Sequence, residues 1–195
     1  RVLTVGQLAL RHGVTADLDV QGPERIALTG RNGAGKTTLL SLVAGQAEPR
    51  AGTVEVHVPL RYLPQRLDIL DGSLSVLDNV RRLAPGASPQ EVRARLARFL
   101  FRKERPAQLA GTLSGGERFR ASLAALLLAE PAPQLLLLDE PTNNLDLSSV
   151  RQLTSALESY QGALIVASHD MPFLRGIGIT RWLRLDGELT ETGPM

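Results

Sequence analysis

Two unbroken apolar runs stand out in the second half of the chain, Leu135-Leu136-Leu137-Leu138 and Leu164-Ile165-Val166-Ala167. Runs this short and apolar at every position predict parallel strands covered on both faces. Residues 25–29, reading Arg-Ile-Ala-Leu-Thr, carry the same signal earlier. After them a helical pattern spans 36–44 and closes at Gly45. A strand, a glycine-rich turn, a helix and two later strands predict an α/β fold whose ligands gather at the carboxyl edge of the sheet.

Between these segments the pattern changes. Ser73-Leu74-Ser75-Val76-Leu77-Asp78-Asn79-Val80, a breaker-rich stretch at 84–89 and an amphipathic stretch at 88–101 predict a small helical subdomain over 66–113. Residues 1–65 and 114–195 are then expected to form the sheet-bearing core of a single domain. Arg93, Arg95, Arg98, Arg102 and Arg105 fall in or beside the helical stretch. Their plain reading is a solvated helix face, with a partner surface as the alternative. A further helical pattern over 118–129 opens at Ser114, where Ser114 and Glu117 have the spacing of a capping box.

Composition narrows this picture. The chain has 195 residues, 43% of them hydrophobic, which suffices for one domain with an ample core. Its apolar runs are too short to span a bilayer, and no signal-peptide pattern opens it. With no cysteine there are neither disulfide staples nor thiolate metal ligands, as suits a reducing compartment. The formal charge is only +2, and Lys36 and Lys103 are the only lysines among the basic residues. Arginine suits phosphate recognition, although a biased genome composition accounts for the preference equally well.

The turn after the first predicted strand carries the sharpest chemistry. Gly30-Arg31-Asn32-Gly33-Ala34-Gly35-Lys36-Thr37 fills every position of the phosphate-binding pattern G-x-x-x-x-G-K-[ST], between strand and helix as that pattern requires. Its glycines let backbone N–H groups approach phosphate, and the helix start adds a favourable dipole. Lys36 is expected on the β- and γ-phosphates of a nucleoside triphosphate and the Thr37 hydroxyl on Mg²⁺, with Thr38 beside them in the binding set. Asp139 and Glu140 end the Leu135–Leu138 run at the same expected edge, one a candidate for holding Mg²⁺ and the other for general base. His169 follows the second run, as a candidate sensor of the γ-phosphate and the attacking water. The capping box explains Ser114 and Glu117 but not Gly115 and Gly116, since glycine costs stability in a first turn. Bare N–H groups there suit a phosphate arriving from another molecule or domain.

Taken in order, these residues resemble the nucleotide-binding domain of the ATP-binding cassette (ABC) superfamily over nearly the whole chain. The resemblance makes Gly30 to Thr37 the Walker A loop, Leu113 to Glu117 the signature, and Leu135 to Glu140 the Walker B strand with its catalytic glutamate. It makes Gln65, in Tyr62-Leu63-Pro64-Gln65, the Q-loop residue on Mg²⁺ and water. Asn143-Asn144-Leu145-Asp146 becomes the D-loop and His169 the switch histidine. His12 stands where the family stacks an aromatic ring on adenine.

Pro141-Thr142-Asn143-Asn144-Leu145-Asp146 resembles the ABC-F class, and so does the stretch from Arg98-Phe99-Leu100-Phe101 to the signature. The class implies a cytoplasmic protein with two cassettes, acting on the ribosome in translation control or antibiotic protection. No long helical arm fits the insertion, so the chain resembles a second cassette, or a half-size relative. The start at Arg1 points to a separated piece. The resemblance further implies ATP and Mg²⁺ bound between two cassettes placed head to tail, in tandem or as a homodimer, with Ser114, Gly115 and Gly116 serving the other cassette's nucleotide. An ATP-binding subunit docked on a separate membrane transport protein is the alternative.

Overall fold

The Leu135–Leu138 run becomes a strand because no position on it faces water. In the computed structural model, which describes residues 1–10, 13–64, 69–143 and 145–194, β6 (Leu135–Asp139) is buried at every residue, as is β7 (Ala163–Ala167). With β3 (Arg25–Thr29), β5 (Leu60–Leu63) and β8 (Arg181–Asp186) they form the parallel part of a nine-stranded sheet, ordered β8-β3-β7-β6-β5. β6 and β7 pair from Leu135 with Ala163 to Asp139 with Ala167, so the two strands end level.

The other half of the sheet is mainly antiparallel. β1 (Leu3–Ala9) pairs with β2 (Thr15–Val20) and with β4 (Thr53–Val56), while β9 (Glu188–Thr192) returns from β8 across a turn at Gly187. A single parallel pairing of Thr15 with Glu188 joins β2 to β9. The fold is mixed α/β with a parallel-rich sheet and helices, as the sequence predicts.

By contact the chain divides into two compact units, residues 1–65, 134–143 and 158–195 in one and 66–133 with 144–157 in the other. The first holds the sheet with α1 (Lys36–Val43) and α6 (Met171–Gly176). Its core runs from Leu3 and Leu8 through Ile26, Leu28 and Leu40 to Leu135, Leu137 and Ile165.

The second unit is helical. It contains α2 (Val76–Leu83), α3 (Pro89–Leu96), α4 (Gly115–Leu127) and most of α5 (Leu147–Ser159), with Val76, Val80, Leu96, Phe101 and Ala124 among its core residues. Division by contact thus groups α4 and the start of α5 with the insertion, where division by motif had set them with the core.

Helix α3 is shorter than the amphipathic stretch at 88–101. A tight turn at Ala97–Phe99 follows it, and Leu100 takes a left-handed φ of 65° that ends the helical path. Phe101 is then fully buried without continuing the helix, while Leu100 itself is exposed.

Candidate functional site

The phosphate-loop pattern folds as expected between β3 and α1. Its glycines serve different ends. Gly30, at φ 143°, passes so close to β8 that a methyl there would lie 2.4 Å from the Leu185 carbonyl oxygen. Gly33, at φ 80°, meets nothing within 4 Å and keeps its turn for backbone reasons alone. Gly35 caps α1 in a left-handed conformation, φ 106°, and no side chain accepts a bond from the first turn. The N–H groups of Lys36, Thr37 and Thr38 therefore have neither an intrahelical acceptor nor a capping side chain. Arg31 and Asn32 are exposed on the loop, with the Arg31 guanidinium 3.6 Å from the Asp186 carboxylate.

Lys36 is only 7% exposed. Its ammonium donates to the carbonyl oxygens of Gly30, at 2.7 Å, and Arg31, at 3.2 Å. Burial draws its pKa below the ordinary lysine value, and the charges of Glu140 and Asp139 oppose that shift. A third donor distance, 3.1 Å, leads to His169 Nε2. The same nitrogen stands 3.4 Å from Glu140 Oε1. One ring nitrogen thus stands between an ammonium donor and a carboxylate acceptor.

Glu140 and His169 are each held at a strand end, and Lys36 at the start of α1. Glu140 follows β6 directly, and its backbone N–H donates to the Ala167 carbonyl at the end of β7, at 2.8 Å. Its φ of 45° lies in the left-handed region that a residue with a side chain adopts only under constraint. His169 follows β7 between Ser168, whose hydroxyl accepts the Asp170 N–H, and Asp170, whose carboxylate caps α6 at Phe173.

Asp139 is 1% exposed, and among the described residues neither carboxylate oxygen has a partner at ordinary hydrogen-bond geometry. Tyr62, on β5, stands near enough that Asp139 adds to the burial that pushes the Tyr62 hydroxyl pKa up, while Ser41 pulls it down. A buried acceptor pair of this kind fits a cation. Among the described residues no group of three or more His, Cys, Asp and Glu could hold a metal ion alone. A Mg²⁺ set of one carboxylate, one hydroxyl and substrate phosphate oxygens fits Asp139, the exposed Thr37 and the α1 start.

Lys36, Asp139, Glu140 and His169 are thus gathered in one unit. Ser114, Gly115 and Gly116 belong to the other, where they open α4. Both halves of the capping box are present: Ser114 Oγ accepts the Glu117 N–H, and the Glu117 carboxylate accepts the Ser114 N–H at 2.9 Å. Arg105 binds the same carboxylate. Arg118, next along the helix, donates to the carbonyls of Ala110 and Leu70. His12 and Gln65, expected on adenine and on Mg²⁺, lie outside the described residues, as does Asn144. Tyr62 and Ser41 were not singled out by sequence. Only the level pairing of β5 with β6, Tyr62 opposite Leu137, brings that ring to the edge.

A family model described as ABC transporter matches residues 15–143. Over 174 residues the chain is 42% identical to the Probable ATP-binding protein YheS of Haemophilus influenzae, covering 88% of this chain and 27% of that protein. It is 34% identical over 184 residues to ATP-binding cassette sub-family F member 3 of Mus musculus, covering 93% and 25%. The chain therefore spans about a quarter of the length of these curated relatives. A solved bacterial Atm1-family ABC exporter with ATP bound superposes at a TM-score of 0.81 and 22% identity, over 97% of this chain and 38% of that one, a likeness of fold. No described helix is long and apolar enough to cross a membrane.

Proposed function

The chain belongs to the ATP-binding cassette (ABC) family, an ATPase family, and is most like its ABC-F class; from that premise we propose that it is the ATP-hydrolysing cassette of a longer, cytoplasmic two-cassette protein acting on the ribosome. The observation that carries the hydrolytic reading is one cluster: buried Lys36 and Asp139 with Glu140 and His169 at a single sheet edge. Lys36 and the first-turn N–H groups of α1 bind the β- and γ-phosphates of ATP. Thr37 and Asp139, with Gln65, hold Mg²⁺, which when bound offsets charge on the phosphate oxygens. Glu140 accepts a proton from the attacking water, and His169 orients that water and the γ-phosphate. Asn32, Ala34 and Thr38 complete the loop around the phosphates, and His12 takes the adenine face.

Ser114, Gly115 and Gly116 are presented to the nucleotide of a second cassette, so each site is completed by two cassettes set head to tail. ATP closes the pair and hydrolysis reopens it. The share of YheS and of the sub-family F member that the chain covers, about a quarter, supports the reading of a longer protein. The ribosome-directed part, whether in translation or in antibiotic protection, rests on the ABC-F resemblance of Pro141 to Asp146.

Glu140→Gln keeps ATP binding and lowers turnover by about 10²-fold or more, because an amide cannot take the proton. A variant hydrolysing at the parent rate removes Glu140 from the role of base. The composite site appears as specific activity rising with cassette concentration, and Ser114→Arg abolishes the rise. In the full-length protein, Glu140→Gln with ATP should co-sediment with ribosomes, and with ADP should not. ATP-dependent association with membranes containing a transport subunit, and none with ribosomes, establishes a transporter ATPase subunit instead.

A further inference from the structure

The two glycines that open α4 have different surroundings. A methyl group at Gly115 would meet nothing within 4 Å, whereas one at Gly116 would lie 2.8 Å from the Ser149 hydroxyl oxygen and 3.9 Å from Asp146 Oδ2. Neither glycine has a positive φ, so backbone conformation does not require either of them. The requirement at 116 is space, and the residue that takes the space is Ser149, near the start of α5.

Ser149 is 4% exposed and is not idle there. Its N–H donates to Asp146 Oδ1 at 2.7 Å. That bond first, and the Ser149 hydroxyl second, hold the Asp146 carboxyl below the usual carboxylate range, with the Arg120 charge adding to both. Arg120 also closes the cluster from α4, its Nε donating to the Gly116 carbonyl at 3.4 Å. A methyl at 116 would press on the Ser149 hydroxyl, which must then shift from its place beside Asp146.

We propose that Ser149 is a positioning residue for the composite ATP site: packed on Gly116 and bonded to Asp146, it fixes the first turn of α4 that is presented to the second cassette's nucleotide. The proposal rests on the composite-site reading above. Gly116 is then glycine because of its own chain, and Gly115 because of what approaches from outside. Movement of Asp146 reaches the presented turn through two side-chain contacts.

The test compares Gly116→Ala, Ser149→Ala and the double variant in the full chain. In urea unfolding the pair should be non-additive, the double variant being more stable than Gly116→Ala alone, because removing the hydroxyl makes room for the methyl. Where the parent's ATPase rises with concentration, Gly116→Ala should lower kcat about tenfold with KM unchanged, and Ser149→Ala should restore it to within about threefold. Ser149→Ala should not rescue Gly115→Ala. Ser149→Ala alone should move the Asp146 pKa up toward its ordinary value by NMR titration, a readout that stands even where Gly116→Ala does not fold.

Additive stabilities, or a double variant as inactive as Gly116→Ala, overturn the proposal, since Gly116 would then serve only the incoming nucleotide. Parent activity independent of concentration, with non-additive stabilities intact, overturns the composite-site reading and the positioning role with it while leaving the packing contact standing.

Discussion

Helix α1 begins at Gly35 in a left-handed conformation with no side chain accepting from its first turn, whereas α4 begins at Ser114 with a complete capping box. Both starts follow glycine-bearing sequence, and both carry the partial positive charge of a helix N-terminus. At α4 the Glu117 carboxylate lies against that charge and is itself bound by Arg105. At α1 there is no acidic residue in the first turn, and the helix opens with the buried Lys36. One start therefore stabilises itself and offers backbone only at its glycines. The other presents its N–H groups and a desolvated cation together, which is what binding a polyanion requires.

Removing the cation breaks this contrast most severely. Lys36→Ala should weaken ATP binding by about 10²-fold or more, because the phosphates lose a charge-assisted partner at a partly dehydrated site. Titration with a fluorescent nucleotide measures it, and affinity within threefold of the parent removes Lys36 from the phosphate site. Gly35→Ala tests the backbone half. A methyl at φ 106° should lower stability by about 1–3 kcal/mol in urea unfolding. An unchanged midpoint would mean that the turn relaxes freely.

Ser114→Ala acts on the other helix start. Loss of the hydroxyl acceptor should cost about 1 kcal/mol in the same assay. The smallest expected effect is that of acid. Glu117 is held below the usual carboxylate range, chiefly by the Ser114 N–H and further by Arg105 and the Ser114 hydroxyl. Its folded pKa is depressed, so its contribution is whole above the ordinary glutamate value of 4.5 and is lost as pH falls through the lowered one. Amide protection, taken relative to the intrinsic exchange rate at each pH, should therefore fall between about pH 6 and 3 at the start of α4, with no counterpart at α1. An equal loss of protection at both starts would make the capping carboxylate irrelevant.

What was legible in sequence follows from which force decides each element. β7 is apolar along its whole length, β6 up to Asp139 and β3 between Arg25 and Thr29, because both faces are covered, so hydrophobicity alone marks them. β4 and β9 read Thr-Val-Glu-Val and Glu-Leu-Thr-Glu-Thr and bury little. They exist because they pair with β1 and β8, and pairing leaves no apolar signature. The same division runs through the site. Lys36 is marked by the spacing of the loop pattern, and Asp139 by its place at the end of the Leu135–Leu138 run. The roles of Tyr62 beside Asp139 and of Leu185 beneath Gly30 depend on register between strands distant in sequence, and no window of residues contains that information. Gly116 is an intermediate case, since its glycine is visible in the motif while the reason for it lies thirty-odd residues on, at Ser149.

The left-handed backbone at Glu140 has a consequence for laboratory evolution. That conformation costs a residue with a side chain about 1–2 kcal/mol, and glycine or asparagine relieves it. Selection for heat resistance alone would therefore favour Glu140→Gly or Glu140→Asn, replacing the proposed general base with a residue unable to take a proton. Survivors of such a screen would be sturdier cassettes without the proposed base. Any thermostabilisation programme on this chain must hold position 140 fixed or score turnover alongside melting.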